Sequence, residues 1–399
     1  MGNFDVAGRG IRVTRGSTLS GGWNGDVSQE DYGITIVDNV KWGIEVQDNS
    51  NLDIAKVKVS GNGETPNIDT DDNDIHYETA IRISDGSSAS INEGIIKNNF
   101  GGGLSLYHNA QLDLYNLTVD SNGLSEGTYG VNGGINIADN AHLNLNLVTI
   151  SNNGNSGLQV EGNSKAHLNE TTVSGNGNGT DWVSAIRVTK NSQISLNDST
   201  VITPKGNGID INYWSKADVS NSSIECLDPD DNSRPYAFNL WKSKLSINHD
   251  SSIDQNTISL KMAGHAIWAS GDSEVSINQP LTITTTGGST YEQINIEEGS
   301  EMYFNDLQTQ FILEKVTAET ESKISMQANS NINLNLIHLK DGSQLELRGS
   351  NKNWIIDDVY CSNPTTTNGV SVFRLNAIFL NGFDNSSIEN INQNCGVVP

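Results

Sequence analysis

Acidic residues gather in two short runs where a hard cation would find ligands. Asp69-Thr-Asp71-Asp72-Asn73-Asp74 and Asp228-Pro-Asp230-Asp231-Asn232 each place at least four carboxylate or amide oxygen donors within a few residues. Calcium is held by such oxygen sets. Neither run has the glycine and distal glutamate of an EF-hand loop. Asp69, Asp71, Asn73, Asp228 and Asp230 are the residues expected to bind calcium, with an ordinary solvated acidic loop as the alternative, and no other cofactor is called for.

Other residues raise the question of catalysis on a sugar chain. A polysaccharide lyase needs acids for a metal and a base beside the bond it breaks, and Glu161, Arg187 and Asp210 suit that if the fold brings them together. An arginine between two acids is more commonly a structural ion pair. A glycosidase needs two carboxylates astride the bond, and Asp210 with Glu161 or Asp181 is a candidate pair that no motif demands. Gly264-His265-Ala266 has a faint likeness to the Gly-His-Gly of polygalacturonases, but their paired-Asp and Arg-Ile-Lys motifs are missing, so His265 reads as a corner residue. No catalytic residue is assigned.

Residues so far apart in sequence need a scaffold that brings them side by side, and the chain repeats one. A small residue opening an alternating strand recurs at Gly10, Gly43, Ala80, Gly103, Gly134, Gly157, Ala185, Gly208, Ala237 and Ala266, with Gln293 last in the series. Typical members are Gly43-Ile-Glu-Val and Ala185-Ile-Arg-Val. Intervals between these anchors run from 23 to 37 residues, and 23 occurs three times, so 23 is the bare coil and longer intervals carry insertions. Seven residues past the anchor stands Ser or Ala, as at Ser50, Ser87, Ala110 and Ser164, and nineteen past it stands Asn62, Asn99, Asn122, Asn153 or Asn176. Apolar pairs fall between, such as Leu52 with Ile54 and Val57 with Val59.

Three short strands per coil, separated by Gly, Asn, Asp and Ser turns, predict an all-β fold: a single right-handed parallel β-helix, a three-faced solenoid of about eleven or more coils. The Asn column is expected to form a side-chain ladder in a turn, with a residue type that tolerates left-handed backbone. Residues 1–360 are expected to form the helix and 361–399 a C-terminal cap that continues it, because end coils otherwise expose core. Insertions such as 64–79, 124–132, 177–184 and 227–236 all fall between the third strand and the next anchor, so stacking would carry them along one corner.

That corner borders the outward side of the first strand. Two residues past the anchor lie Arg82, Asn136, Gln159, Arg187, Asp210, Asn239 and Trp268; four past it lie Tyr107, Glu161, Asn212 and Trp241. Neighbours within a column would stand about 4.8 Å apart. Amides, acids, guanidinium groups and aromatic rings in such columns suit an extended polar polymer, and these eleven residues are the expected glycan contacts. Simple polar stacking ladders are the alternative, against which stand the large rings of Tyr107, Trp241 and Trp268.

Composition narrows the partners. The chain has 399 residues and a formal charge of −25, from 23 Lys and Arg against 48 Asp and Glu. Such acidity opposes binding to nucleic acid or anionic membrane. No stretch is long enough for a membrane-spanning helix, and no direct membrane insertion is expected. Among the three cysteines, Cys361 and Cys395 are placed to close a loop near the C-terminal end, with Cys226 unpaired. The N-terminus lacks a signal-peptide pattern, which reads as a mature fragment.

From about residue 10 to 310 this coil, restarted by Gly-Ile or Ala-Ile, resembles the passenger domains of bacterial autotransporter adhesins, including the pertactin-like and AIDA-type groups. Similar coils occur in pectate-lyase-like enzymes and phage tailspikes. The resemblance implies an extracellular location on the bacterial surface, export through a translocating β-barrel, and adhesion. The leading expectation is an adhesin holding an extracellular polysaccharide or host matrix component. A secreted lyase or hydrolase using the same groove, and a structural solenoid that self-associates or binds a matrix protein, are the rivals.

Overall fold

A computed structural model describes residues 10–21, 33–63, 66–68, 75–123, 133–177, 183–204, 206–227, 236–248, 258–262, 265–278, 281–285, 293–307, 311–328, 332–348, 354–362, 377–381 and 396–398. Among these, every regular element is a strand, and the fold is a right-handed parallel β-helix. The chain divides into two compact units, Met1–Gly206 and Asn207–Pro399, the boundary falling inside the expected 1–360 span.

In the first unit, the strands that follow the anchors form one parallel sheet, here called the front sheet. Ile11–Val13, Ile44–Val46, Ile81–Ile83, Leu104–Leu106, Ile135–Ile137, Leu158–Val160 and Ile186–Val188 pair in that order. Alternation sends their aliphatic residues inward, and Ile44, Val46, Ile81 and Ile83 are fully buried. Asn51–Ser60, Ser88–Lys97 and Gln111–Asp120 supply the other two faces as single ten-residue strands. Each bends near its middle at a left-handed residue, Lys56, Glu93 or Asn116. In later coils the same path splits into two strands, such as His142–Asn146 and Thr149–Ser151, with Leu147 left-handed between them.

Two polar ladders run through the turns. Asn39, Asn62, Asn99, Asn122 and Asn153 each donate from Nδ2 to Oδ1 of the next asparagine, ending at Asn176. The same oxygens accept a backbone N–H from the coil before. The expected ladder is present, but the left-handed residue is the one before each asparagine: Asp38, Gly61, Asn98, Ser121, Asn152 and Gly175. The asparagines spend their amides on the next coil, and the preceding residue makes the corner. A serine ladder occupies the turn after the front strand, where Ser87 Oγ accepts from the Ser50 N–H and Ser192 Oγ from the Ser164 N–H. Close packing explains the small anchors: a Cβ on Gly134 would lie 2.6 Å from the Gly157 carbonyl, 2.7 Å from Ile150 Cγ2 and 2.8 Å from Asn153 Nδ2.

In the second unit the front strands are Ile209–Asn212, Tyr236–Trp241, His265–Ser270, Ile294–Ile296, Phe311–Ala318, Ile332–Lys340 and Trp354–Ser362. In these front strands register stays regular past residue 310, while the pairing of Glu301–Leu307 with Lys323–Ala328 shifts between Phe304 and Leu307. Within 361–399, Ala377–Asn381 pairs in parallel with Gln344–Arg348, and Gly396–Val398 pairs with it. Cys361 is disulfide-bonded, and the expected partner Cys395 lies outside the described residues.

Cys226 is free and fully buried, and burial pushes its thiol up to about 12. Only the thiolate reacts readily, so in folded protein at pH 8 this thiol is expected to resist an alkylating reagent and to label once the chain is denatured. Labelling of Cys226 in the folded protein at the rate of a free cysteine would contradict the assignment.

Candidate functional site

The outward columns form as expected, in register, within each unit. In the first, Arg12, Glu45, Arg82, Ser105, Asn136, Gln159 and Arg187 are successive Cα partners. A solvated face would leave them open, yet much of the column is covered: Glu45 is 2 % and Asn136 6 % exposed, while Arg187 is open. Side chains packed among themselves account for part of this. Arg12 Nε lies 3.0 Å from Glu45 Oε2. The Arg82 guanidinium sits 5.1 Å from the ring centre of buried Trp42, and Lys41 Nζ lies 5.9 Å from it. Thr79 and Ser105 share a hydroxyl hydrogen bond of 2.7 Å, and Asn136 Nδ2 donates to the Tyr107 hydroxyl at 3.4 Å.

This end of the front sheet is electrostatically tense. Burial pushes the Glu78 carboxyl up; Arg82, Lys41 and a hydrogen bond from Trp42 pull against it, and Glu45 adds to the rise. Burial likewise raises the Tyr107 hydroxyl, against hydrogen bonds involving Ser105 and Asn136. Asn136 Oδ1 and Arg82 Nε are buried with no hydrogen-bond partner among the described residues. Glu161 pairs with Lys190 at 2.8 Å, so its charge is met by that lysine. Trp42 and Glu78, which flank the strand, were missed by sequence reasoning because they lie outside the two columns.

In the second unit, Asp210, Asn239, Trp268 and Asn295 are successive partners, and the column continues through Thr317, His338 and Tyr360. Asp210 Oδ1 accepts from Asn207 Nδ2 at 2.8 Å and from Asn239 Nδ2 at 2.9 Å. The Trp268 indole N–H donates to Glu297, which also accepts from Asn295 at 3.0 Å. Beside the column, Tyr236 stacks on His265 at 5.1 Å and lies 5.6 Å from Trp268. His265 is thus a buried member of a front strand packed on a tyrosine. In the second column Asn212, Trp241 and Ser270 are in register. Tyr213 meets Trp241 edge-on at 4.6 Å, and Lys242 Nζ lies 4.7 Å over the Trp241 ring.

Six expected contacts therefore share the first unit's front sheet (Arg82, Tyr107, Asn136, Gln159, Glu161 and Arg187) and five share the second's (Asp210, Asn212, Asn239, Trp241 and Trp268). The expected calcium ligands Asp69, Asp71, Asn73, Asp228 and Asp230 lie outside the described residues. Pro66–Ile68 and Ile75–Tyr77, either side of the first acidic run, pair antiparallel as a short hairpin. Among the described residues no group of three or more His, Cys, Asp or Glu is placed to hold a metal.

Coils, ladders and outward columns together define a parallel β-helix protein that offers polar, aromatic-bearing faces. A family model described as a right-handed β-helix region matches residues 42–224. No curated protein matches the chain.

Proposed function

We propose that this protein is an extracellular adhesin of the bacterial surface that holds an extended glycan against the outward side of its front sheet. The observation that carries the reading is the second unit's grouping of rings and polar side chains in one register: Asp210, Asn239, Trp268 and Asn295, with Asn212 and Trp241 alongside. Sugars present flat C–H faces and dense hydroxyls, which rings and orienting polar groups hold between them. Tyr236 and Glu297 fix Trp268 from two directions, so little order remains to be gained on binding. A host or matrix polysaccharide is the partner proposed, and calcium held by the two acidic runs is the cofactor proposed.

Glycan arrays should identify a ligand that wild-type protein retains and does not cleave. Losing one stacked ring removes about 0.5–1.5 kcal/mol, so Trp268→Ala is expected to weaken retention about twofold to tenfold, with unchanged circular dichroism. Wild-type affinity in that variant would move the site off the second unit's front sheet. One observation favours a second reading, an enzyme acting on the glycan: Glu78 is held toward its protonated form beside Arg82, Lys41 and Glu45, as a general acid is. New reducing or unsaturated ends that vanish in Glu78→Gln would decide for that reading over adhesion.

A further inference from the structure

The turn after most front strands is built from two consecutive left-handed residues, and most coils use types that tolerate that backbone. Asp48 with Asn49, Asp139 with Asn140 and Lys190 with Asn191 all have φ between 55° and 62°. In the second unit the same turn is Tyr213 at φ 54° and Trp214 at φ 64°. Two bulky aromatic residues are poor choices there, because a left-handed backbone presses Cβ toward the following carbonyl. Burial does not compensate: Trp214 is 66 % exposed and Tyr213 43 %.

The surroundings hold this strained pair in place and leave one ring open. The Tyr213 N–H donates to the Trp241 carbonyl at 3.0 Å, and the Trp214 N–H to the Lys242 carbonyl at 2.7 Å. Tyr213 is braced edge-on against Trp241. Trp241 in turn has Lys242 over its ring and Gly271 close by, where a Cβ would come within 2.9 Å of its indole nitrogen. Between Asn212 and Ser215 stand Tyr213 and Trp214, but between Trp241 and Ser243 stands Lys242 alone. The next coil's turn is thus one residue shorter and supplies no counterpart to Trp214.

We propose that Trp214, braced through Tyr213 and Trp241, is a stacking subsite for the C–H face of an uncharged pyranose ring. This rests on reading the front face as a glycan site and names the ring chemistry it takes. An exposed indole suits the apolar face of a sugar ring. The neutral assignment follows from charge: the chain carries −25, and Lys242 already lies over Trp241.

The test uses the whole chain with three probes, β-1,4- and β-1,3-linked glucan hexasaccharides and hexagalacturonate, read by calorimetry and tryptophan emission. At least one neutral hexasaccharide should bind and shift the emission, and Trp214→Asn should weaken it about tenfold while Trp214→Phe retains most of it. Because asparagine accepts left-handed backbone, Trp214→Asn should also melt at a higher temperature than wild type. A lower melting temperature in Trp214→Asn would make the ring a structural part of the turn and overturn the proposal. Unchanged affinity in that variant would sink the platform alone and leave the glycan reading standing. Preference for hexagalacturonate would overturn the uncharged assignment, and failure of wild type to bind any probe would sink the glycan reading and the platform together.

Discussion

Asn122→Ala is expected to cost about 3 kcal/mol or more of stability, although the residue touches no surface. Asn122 is fully buried. Its Oδ1 accepts from the Asn99 amide at 2.7 Å and the Asn99 backbone N–H at 3.2 Å, while its Nδ2 donates to Asn153 Oδ1 and to the Ile96 carbonyl, both at 3.0 Å. Removing the side chain leaves several buried groups without partners, each worth about 1–3 kcal/mol. A urea titration should show a lowered midpoint. A shift worth under about 1 kcal/mol would mean that water or a backbone shift replaces the ladder, and that stacking alone holds the coils.

Gly134→Val is the second large effect, expected at about 3 kcal/mol or more, from crowding where the ladder change leaves a gap. The added Cβ would meet the Gly157 carbonyl at 2.6 Å, Ile150 Cγ2 at 2.7 Å and Asn153 Nδ2 at 2.8 Å, and a packed core gives way only at the cost of strain. Other coils carry alanine at the same column, as at Ala185 and Ala237, so Ala185→Gly should cost only about 1 kcal/mol, from chain entropy. Equal stabilities for Gly134→Val and wild type would remove close packing as the reason for the small anchors.

Much of this fold could be read from spacing, because stacking turns a sequence interval into a spatial column. The anchors, the Ser and Asn ladders and both outward columns follow from counting along the chain. Thr317, His338 and Tyr360 could not be placed that way, since their front strands run long, as in Phe311–Ala318, and Lys315 stands where earlier coils have a small anchor. Nor does spacing report what lies over a column. Glu45 is outward by period and yet buried, because its coil neighbours pair and stack above it. Trp214 escaped for a different reason: its openness depends on a residue missing from the next coil's turn, a comparison between two turns that a period within one coil does not contain.

The asparagine ladder also has a sense. From Asn39 to Asn176 every side-chain amide points its nitrogen toward the same end of the column, so the amide dipoles lie head to tail and each polarises the next. Bonds in such chains strengthen one another by about 10–30 % apiece, which makes the value of a rung depend on its place. A break at Asn122, with two rungs on one side and three on the other, interrupts more mutual polarisation than the same change at Asn39, which has neighbours on one side only.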